Sequence, residues 1–154
     1  MIKPRLAITA FALSASAFVG LTMLENYREV AYIPMPGDVP TIGFGTTGGV
    51  RMGDTITPPK ALARALSDAQ KFEGALKKCV TVPLHQHEYD AYVSLMYNIG
   101  AQAFCNSTLV KKLNAGEYEA ACQEIRRWNR QGGKASSGLT KRRETEYRQC
   151  MGAV

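Results

Sequence analysis

The spacing of hydrophobic positions changes several times along the chain, and each change marks an element. From Leu6 to Leu24 no charged residue occurs, in a stretch framed by Lys3 and Arg5 in front and Glu25 behind. Its length is close to the ~20 residues that cross a bilayer as a helix. From Glu25 to Thr57 the chain turns rich in Gly, Pro and Thr. The β-prone pieces Thr41-Ile-Gly-Phe44 and Val50-Arg-Met52, on either side of Thr47-Gly48-Gly49, predict a small hairpin there. Thr57-Pro58 then offers an N-cap followed by proline at the first helical position, and Leu62, Leu66, Ala69, Phe72 and Leu76 recur at helical spacing. A long amphipathic helix is predicted to run to about Cys79.

Beyond a break at Val80 to Pro83, Tyr89, Val93, Met96 and Ile99 predict a second helix that Gly100 terminates. A shorter helix is expected after Asn106-Ser107, ending near Gly116. Tyr118, Ala121, Cys122, Ile125 and Trp128 repeat the helical period. A Gly/Ser-rich loop from Gly132 to Gly138 separates them from a last helix over Thr140 to Cys150. The sum is an α+β chain, with a small β-hairpin lobe and a larger helical lobe joined by one long helix.

The N-terminal pattern has three readings. Lys3 and Arg5 ahead of the uncharged stretch predict a cytoplasmic N-terminus with the remainder in the periplasm. Ala15-Ser16-Ala17 resembles a signal-peptidase site, which would make the segment a cleaved signal peptide. The apolar run continues past that site, diluted by Ala, Ser, Thr and Gly, which fits an uncleaved and weakly held anchor. The third reading is a buried core helix of a cytoplasmic protein. On the anchor reading the chain divides into a signal-anchor segment over residues 1–24 and a catalytic domain over 25–154.

At 154 residues the chain suits one compact domain. Its 19 Lys+Arg against 13 Asp+Glu, a formal +6, favour a polyanionic partner. The positive charge is scattered, with Lys141-Arg142-Arg143 the longest run. No zinc-finger spacing or RNA-binding aromatic signature accompanies it, so nucleic acid is not the expected partner. Cys79, Cys105, Cys122 and Cys150 form no Cys-x-x-Cys pair, and only His85 and His87 accompany them, which argues against structural zinc. In an oxidising periplasm two disulfides are expected, Cys122–Cys150 because both fall on inner faces of consecutive helices, and Cys79–Cys105.

Glu25-Asn-Tyr-Arg28 followed by Tyr32, then Gly37-Asp38-Val-Pro-Thr41-Ile-Gly-Phe-Gly45, resembles the active-site stretch of the phage-type lysozymes, glycoside hydrolase family 24. Tyr97-Asn98-Ile-Gly100-Ala-x-Ala-Phe104, Ser107-Thr108-Leu109, Leu113-Asn-Ala-Gly116, Arg127-Trp128-Asn129 and Arg142-Arg143 resemble the family's helical lobe in order and spacing. The resemblance covers nearly all of the chain after Met23. It implies a lysozyme-like fold and an endolysin of lambdoid, signal-anchor-release character. Such an enzyme cuts the β-1,4 bond between N-acetylmuramic acid and N-acetylglucosamine in peptidoglycan glycan strands, as a monomer and with no metal or cofactor. The host inner membrane is the second expected partner, through the N-terminal segment.

Cutting a glycosidic bond needs a proton donor at the leaving oxygen and a second group that directs water or stabilises the oxocarbenium-like charge. Glu25 is the expected acid. At the end of an apolar stretch beside the β-lobe, its carboxyl should be partly desolvated, as a donor working near neutral pH requires. Asp38 and Thr41 are the residues that, by the resemblance, hold water on the opposite face for an inverting reaction. The family's usual position for the Asp, two residues after the Tyr, is Pro34 here, so Asp38 departs from the pattern. Glu29 is a rival acid, because eight residues separate it from Asp38; Glu25 is preferred since Arg28 and Tyr32 fall in register with it.

The displaced Asp38 leaves a lytic transglycosylase as an alternative, and a non-enzymatic cationic wall-binding protein as another. His85 and His87, two apart at a helix start, are read as surface residues pointing to different faces. Trp128 reads as packing in preference to a sugar platform. Lys141-Arg142-Arg143 is either a solvated face or the source of an arginine that pairs with Glu25 or Asp38.

Overall fold

A computed structural model describes residues 3–153. Its first helix, α1 (Ala15–Glu25), is capped by Ser14, whose Oγ accepts the Ala17 N–H at 3.1 Å. Asn26, at φ 54°, ends it and turns the chain into strand β1 (Arg28–Tyr32). Strand β2 (Thr41–Gly43) pairs antiparallel with β1, Arg28 opposite Gly43 and Tyr32 opposite Thr41, across a register irregularity. Helix α2 (Pro58–Cys79), about 33 Å long at 1.5 Å per residue, leads into the helical lobe. There α3 (Gln86–Ile99), α4 (Ala101–Cys105), α5 (Thr108–Asn114) and α6 (Tyr118–Glu124) follow one another. Strands β3 (Arg130–Gln131) and β4 (Lys134–Ala135) make a two-residue hairpin, and α7 (Ser137–Cys150) closes the chain.

The α+β plan expected from the pattern is the one that forms, and α2 starts and stops where Thr57-Pro58 and Cys79 indicate. Two separate apolar cores build the lobes. Ala31, Ile42, Val50, Ile56 and Ala61 fill the β-lobe. The helical core is organised on α3, whose residues Glu88 to Met96 are all buried. A helix covered on every side belongs at the centre of a domain, and α1, α2, α4 and α7 pack around this one. Disulfides Cys79–Cys105 and Cys122–Cys150 both form, tying α2 to α4 and α6 to α7.

The β-lobe corrects one expectation. The hairpin partner of Thr41–Gly43 is Arg28–Tyr32, while residues 50–52 form no strand. Thr47 to Val50 closes as a turn of its own, Val50 donating its N–H to Thr47 O at 3.3 Å. Arg28-Glu-Val-Ala-Tyr32 escapes a hydrophobic reading because only Ala31 points inward and is buried. The expected loop at Gly132-Gly133 is tighter than foreseen. Both glycines hold positive φ, 56° and 77°, the requirement of a type I′ hairpin turn. The histidine reading also changes. His85 is the N-cap of α3 and lies outside its helical register, so its ring stacks on His87 with centroids 5.2 Å apart.

The uncharged N-terminal stretch is helical only in its second half. Leu6 exchanges backbone hydrogen bonds of 2.8 Å with Leu84, Ile8–Ala10 form one 3₁₀ turn, and Ile8 and Phe11 join the helical core. Among the described residues no helix is long and apolar enough to cross a membrane.

Candidate active site

Between the lobes lies an open cleft of about 720 Å³. Glu25, Asp38 and Thr41 all line it, together with Tyr32, Gly45, Asp68, Tyr97 and Asn98. Glu29 is not among the lining residues; it sits exposed on β1, where its carbonyl accepts the Ile56 N–H at 2.9 Å.

Glu25 is the last residue of α1, so the packing of α1 on the helical lobe sets its position. Leu21, one turn earlier, is 1% exposed and anchors the helix. One carboxylate oxygen, Oε1, forms a 2.7 Å ion pair with Arg142 Nη1 of α7. The other, Oε2, lies on the Gly45 side, where a Cβ on residue 45 would come within 3.1 Å of it. Gly45 also holds φ 82°, so glycine is required there by both space and backbone.

The turn that carries Gly45 is fixed from three sides. Ile42 and Thr46 exchange backbone bonds of 2.9 and 3.0 Å across it. Thr46 Oγ1 donates to Asp68 Oδ2 on α2 at 2.7 Å, and the Tyr97 hydroxyl on α3 donates to Phe44 O at 2.6 Å. Burial, reinforced by the charges of Asp68 and Glu25, pushes the Tyr97 phenol far above its ordinary range, so it stays a donor across the working range of pH. Underneath, α2 passes so close that a Cβ on Gly43 would lie 3.0 Å from Ala61 Cβ.

Arg142 is itself held. Its Nε donates to Glu146 Oε1 at 3.1 Å, and Glu146, 1% exposed, also pairs with Arg143 Nε at 2.6 Å and accepts the Ser94 hydroxyl at 2.8 Å. Arg143 reaches on to Asn98 Oδ1 at 2.9 Å, in the wall of the cleft. Burial lowers the Arg143 pKa, opposed by the charge of Glu146. Of the two readings of Lys141-Arg142-Arg143, the structure selects the pairing arginine for residue 142.

Asp38 arrives differently, on the loop between β1 and β2. It is exposed, and its N–H donates to Met35 O at 3.0 Å. Thr41 starts β2, 7% exposed, its hydroxyl donating to Val39 O at 3.1 Å. Thus the residue that departs from the family spacing still reaches the same cleft, because the loop after Tyr32 folds back over it.

Sequence reasoning assigned no role to Asp68, Tyr97 or Glu146. Asp68 on α2 looks like half of a solvated pair with Lys71. Glu146 carried a usable signal, since it stands three and four residues after two arginines, the spacing at which helical side chains meet. Trp128 packs against the helical core as expected, and also lines a second depression of about 460 Å³ that shares Asn98, Ile99 and Gln131 with the first.

Comparison with known proteins agrees with this geometry. A family model described as phage lysozyme matches residues 22–146, a span that contains Glu25, Asp38, Thr41 and Arg142. A SAR-endolysin of Pseudomonas phage phiKMV is 38% identical over 141 residues, covering 89% of this chain and 87% of the relative. Among solved structures, an endolysin from Escherichia coli O157:H7 phage FAHEc1 superposes with a TM-score of 0.81 at 35% identity, over 94% of this chain and 96% of that one. The muramidase domain of SpmX from Asticaccaulis excentricus gives a TM-score of 0.83 at 28% identity, over 91% of this chain and 97% of that one. The chain belongs to the phage lysozyme family.

Proposed function

We propose that the chain is an endolysin that hydrolyses the β-1,4 bond between N-acetylmuramic acid and N-acetylglucosamine in peptidoglycan, lysing the host. The observation that carries this reading is the convergence of Glu25, Asp38 and Thr41 on one cleft between the lobes. A glycan strand laid along the cleft meets Glu25 beside the Gly45 turn that follows β2. Glu25 protonates the leaving glycosidic oxygen as the C1–O bond breaks. Asp38 takes a proton from a water that it and the Thr41 hydroxyl hold, as that water's oxygen bonds to C1 on the opposite face. Arg142 holds Oε1 of Glu25 and so fixes which way the carboxyl faces. The step consumes one water and calls for no metal or cofactor.

The transglycosylase alternative drew its support from the displaced Asp38, and that support weakens once Asp38 lines the cleft. Digestion of purified peptidoglycan tests the choice. Hydrolysis generates new reducing ends, one per bond cut; 1,6-anhydro ends without new reducing sugar would overturn it.

The reading extends to location. Residues 1–24 serve first as an uncleaved anchor in the host inner membrane, with residues 25–154 as the catalytic domain in the periplasm; the released monomer then folds the anchor into itself. Support comes from the likeness to a SAR-endolysin and from residues 6–14, which have no α-helix and pack as a strap on the helical lobe. Mass spectrometry of the soluble enzyme from lysing cells should find a chain that retains residues 1–17. A soluble product beginning at Phe18 would show a cleaved signal peptide.

A further inference from the structure

The central helix α3 is buried along its whole middle, yet it carries two carboxylates there, Glu88 at 2% and Asp90 at 5% exposure; Glu73, at 8%, faces them from α2. Acids this buried need partners; the helical lobe supplies one to each, the Tyr89 hydroxyl to Glu73, the His85 N–H to Glu88 and Gln86 Nε2 to Asp90, and the N-terminal segment supplies the rest. Arg5 grips Glu88 through Nη2 at 2.7 Å and Nε at 3.1 Å, its guanidinium lying 3.5 Å over the Tyr118 ring. The Leu13 N–H donates to Glu73 Oε1 at 2.6 Å. Ser14 donates both its N–H and its hydroxyl to Asp90, at 3.0 and 2.8 Å. Carbonyls are met as well, Phe11 O by Lys77 Nζ at 2.6 Å and Ala12 O by Gln86 Nε2 at 2.9 Å.

We infer that Glu73, Glu88 and Asp90 form a docking site for residues 5–14 of the same chain, one that recognises the segment only in its unwound form. The inference rests on the anchor-release reading above and names the device that regulates it. In a bilayer the segment must satisfy its backbone internally, as a continuous helix. On the protein the same N–H and C=O groups are bonded to the carboxylates, to Lys77, to Gln86 and to Leu84. The two hosts therefore require incompatible conformations, and the segment can occupy only one at a time. Each hydrogen bond that the segment makes to a carboxylate belongs to the released state alone, and a contact made in one state only is what shifts a two-state equilibrium. Glu73, Glu88 and Asp90 hold the segment and do not line the cleft.

Partition of the purified full chain onto vesicles of phosphatidylethanolamine and phosphatidylglycerol tests this. Glu73→Gln and Asp90→Asn should each bind half of the protein at a lipid concentration about tenfold lower than wild type needs, equivalent to ~1.4 kcal/mol. Without vesicles they should digest peptidoglycan at the wild-type rate. Should either fail to fold, Gln86→Ala, an exposed side chain that bridges Ala12 O and Asp90, moves the lipid midpoint in the same direction by about threefold. Ile42→Ala, which loosens the β-lobe away from the segment, leaves the midpoint in place. Equal midpoints for wild type and the docking-site variants overturn the inference, as does an equal shift from Ile42→Ala. If none of the proteins binds vesicles at any lipid concentration while digestion is normal, the docking inference and the anchor reading fall together and the hydrolase reading stands.

Discussion

Glu25 and Asp38 enter the cleft from supports of different stiffness. Glu25 ends a packed helix and is pinned by Arg142 at 2.7 Å, whereas Asp38 rides an exposed loop. A group that directs water tolerates such a loop better than the acid would, because the acid must meet one substrate atom. Asp38→Asn should therefore lower kcat by about 10²-fold, the scale of a general base, and leave the melting temperature unchanged. Thr41→Ala should slow turnover less, and cost about 1 kcal/mol of stability through the lost bond to Val39 O. Turnover with Asp38→Asn equal to wild type would remove Asp38 from the reaction. Sequence brought Glu25, Asp38 and Thr41 forward as candidates, and the structure places all three in the wall of one cleft. The contacts of Glu146 with Ser94 and of Tyr97 with Phe44 were not legible in the sequence, because they depend on which elements α3 faces. Glu29 illustrates the same limit, since its spacing to Asp38 suited the family and only the direction of β1 takes it out of the cleft.

At the scale of elements, helices were legible wherever a cap and an apolar period coincided, as in α2 with Thr57-Pro58 and α5 with Ser107. The failures share a cause. Strand β1 is mostly exposed and so has no apolar alternation to read, and residues 6–14 are apolar enough for a helix but are held unwound by side chains more than sixty positions away. Helix faces pointed to Cys122–Cys150 in the sequence; Cys79–Cys105 was expected without that argument, and the two bridges close loops with separations of 28 and 26 residues. Restriction of the unfolded chain makes each worth about 2 to 4 kcal/mol. Denaturant unfolding of the oxidised Cys79→Ala/Cys105→Ala and Cys122→Ala/Cys150→Ala variants should show losses of that size. Unfolding curves that coincide with wild type would mean the loops were already closed by packing.

Over the whole molecule, a formal charge of +6 suits approach to an anionic wall polymer, and that attraction should weaken with added salt. The segment that reads as an anchor ends in the helix that presents Glu25 to the cleft. The central claim, that Glu25 is the acid of a peptidoglycan hydrolase, is most directly tested by digesting purified peptidoglycan with the full chain, its Glu25→Gln variant and its Glu29→Gln variant side by side, and weighing the fragments by mass spectrometry. Wild type and Glu29→Gln should release hydrolysed glycan fragments, and a folded Glu25→Gln should release none above background. Digestion by Glu25→Gln at a large fraction of the wild-type rate, or loss of activity in Glu29→Gln alone, would contradict the account.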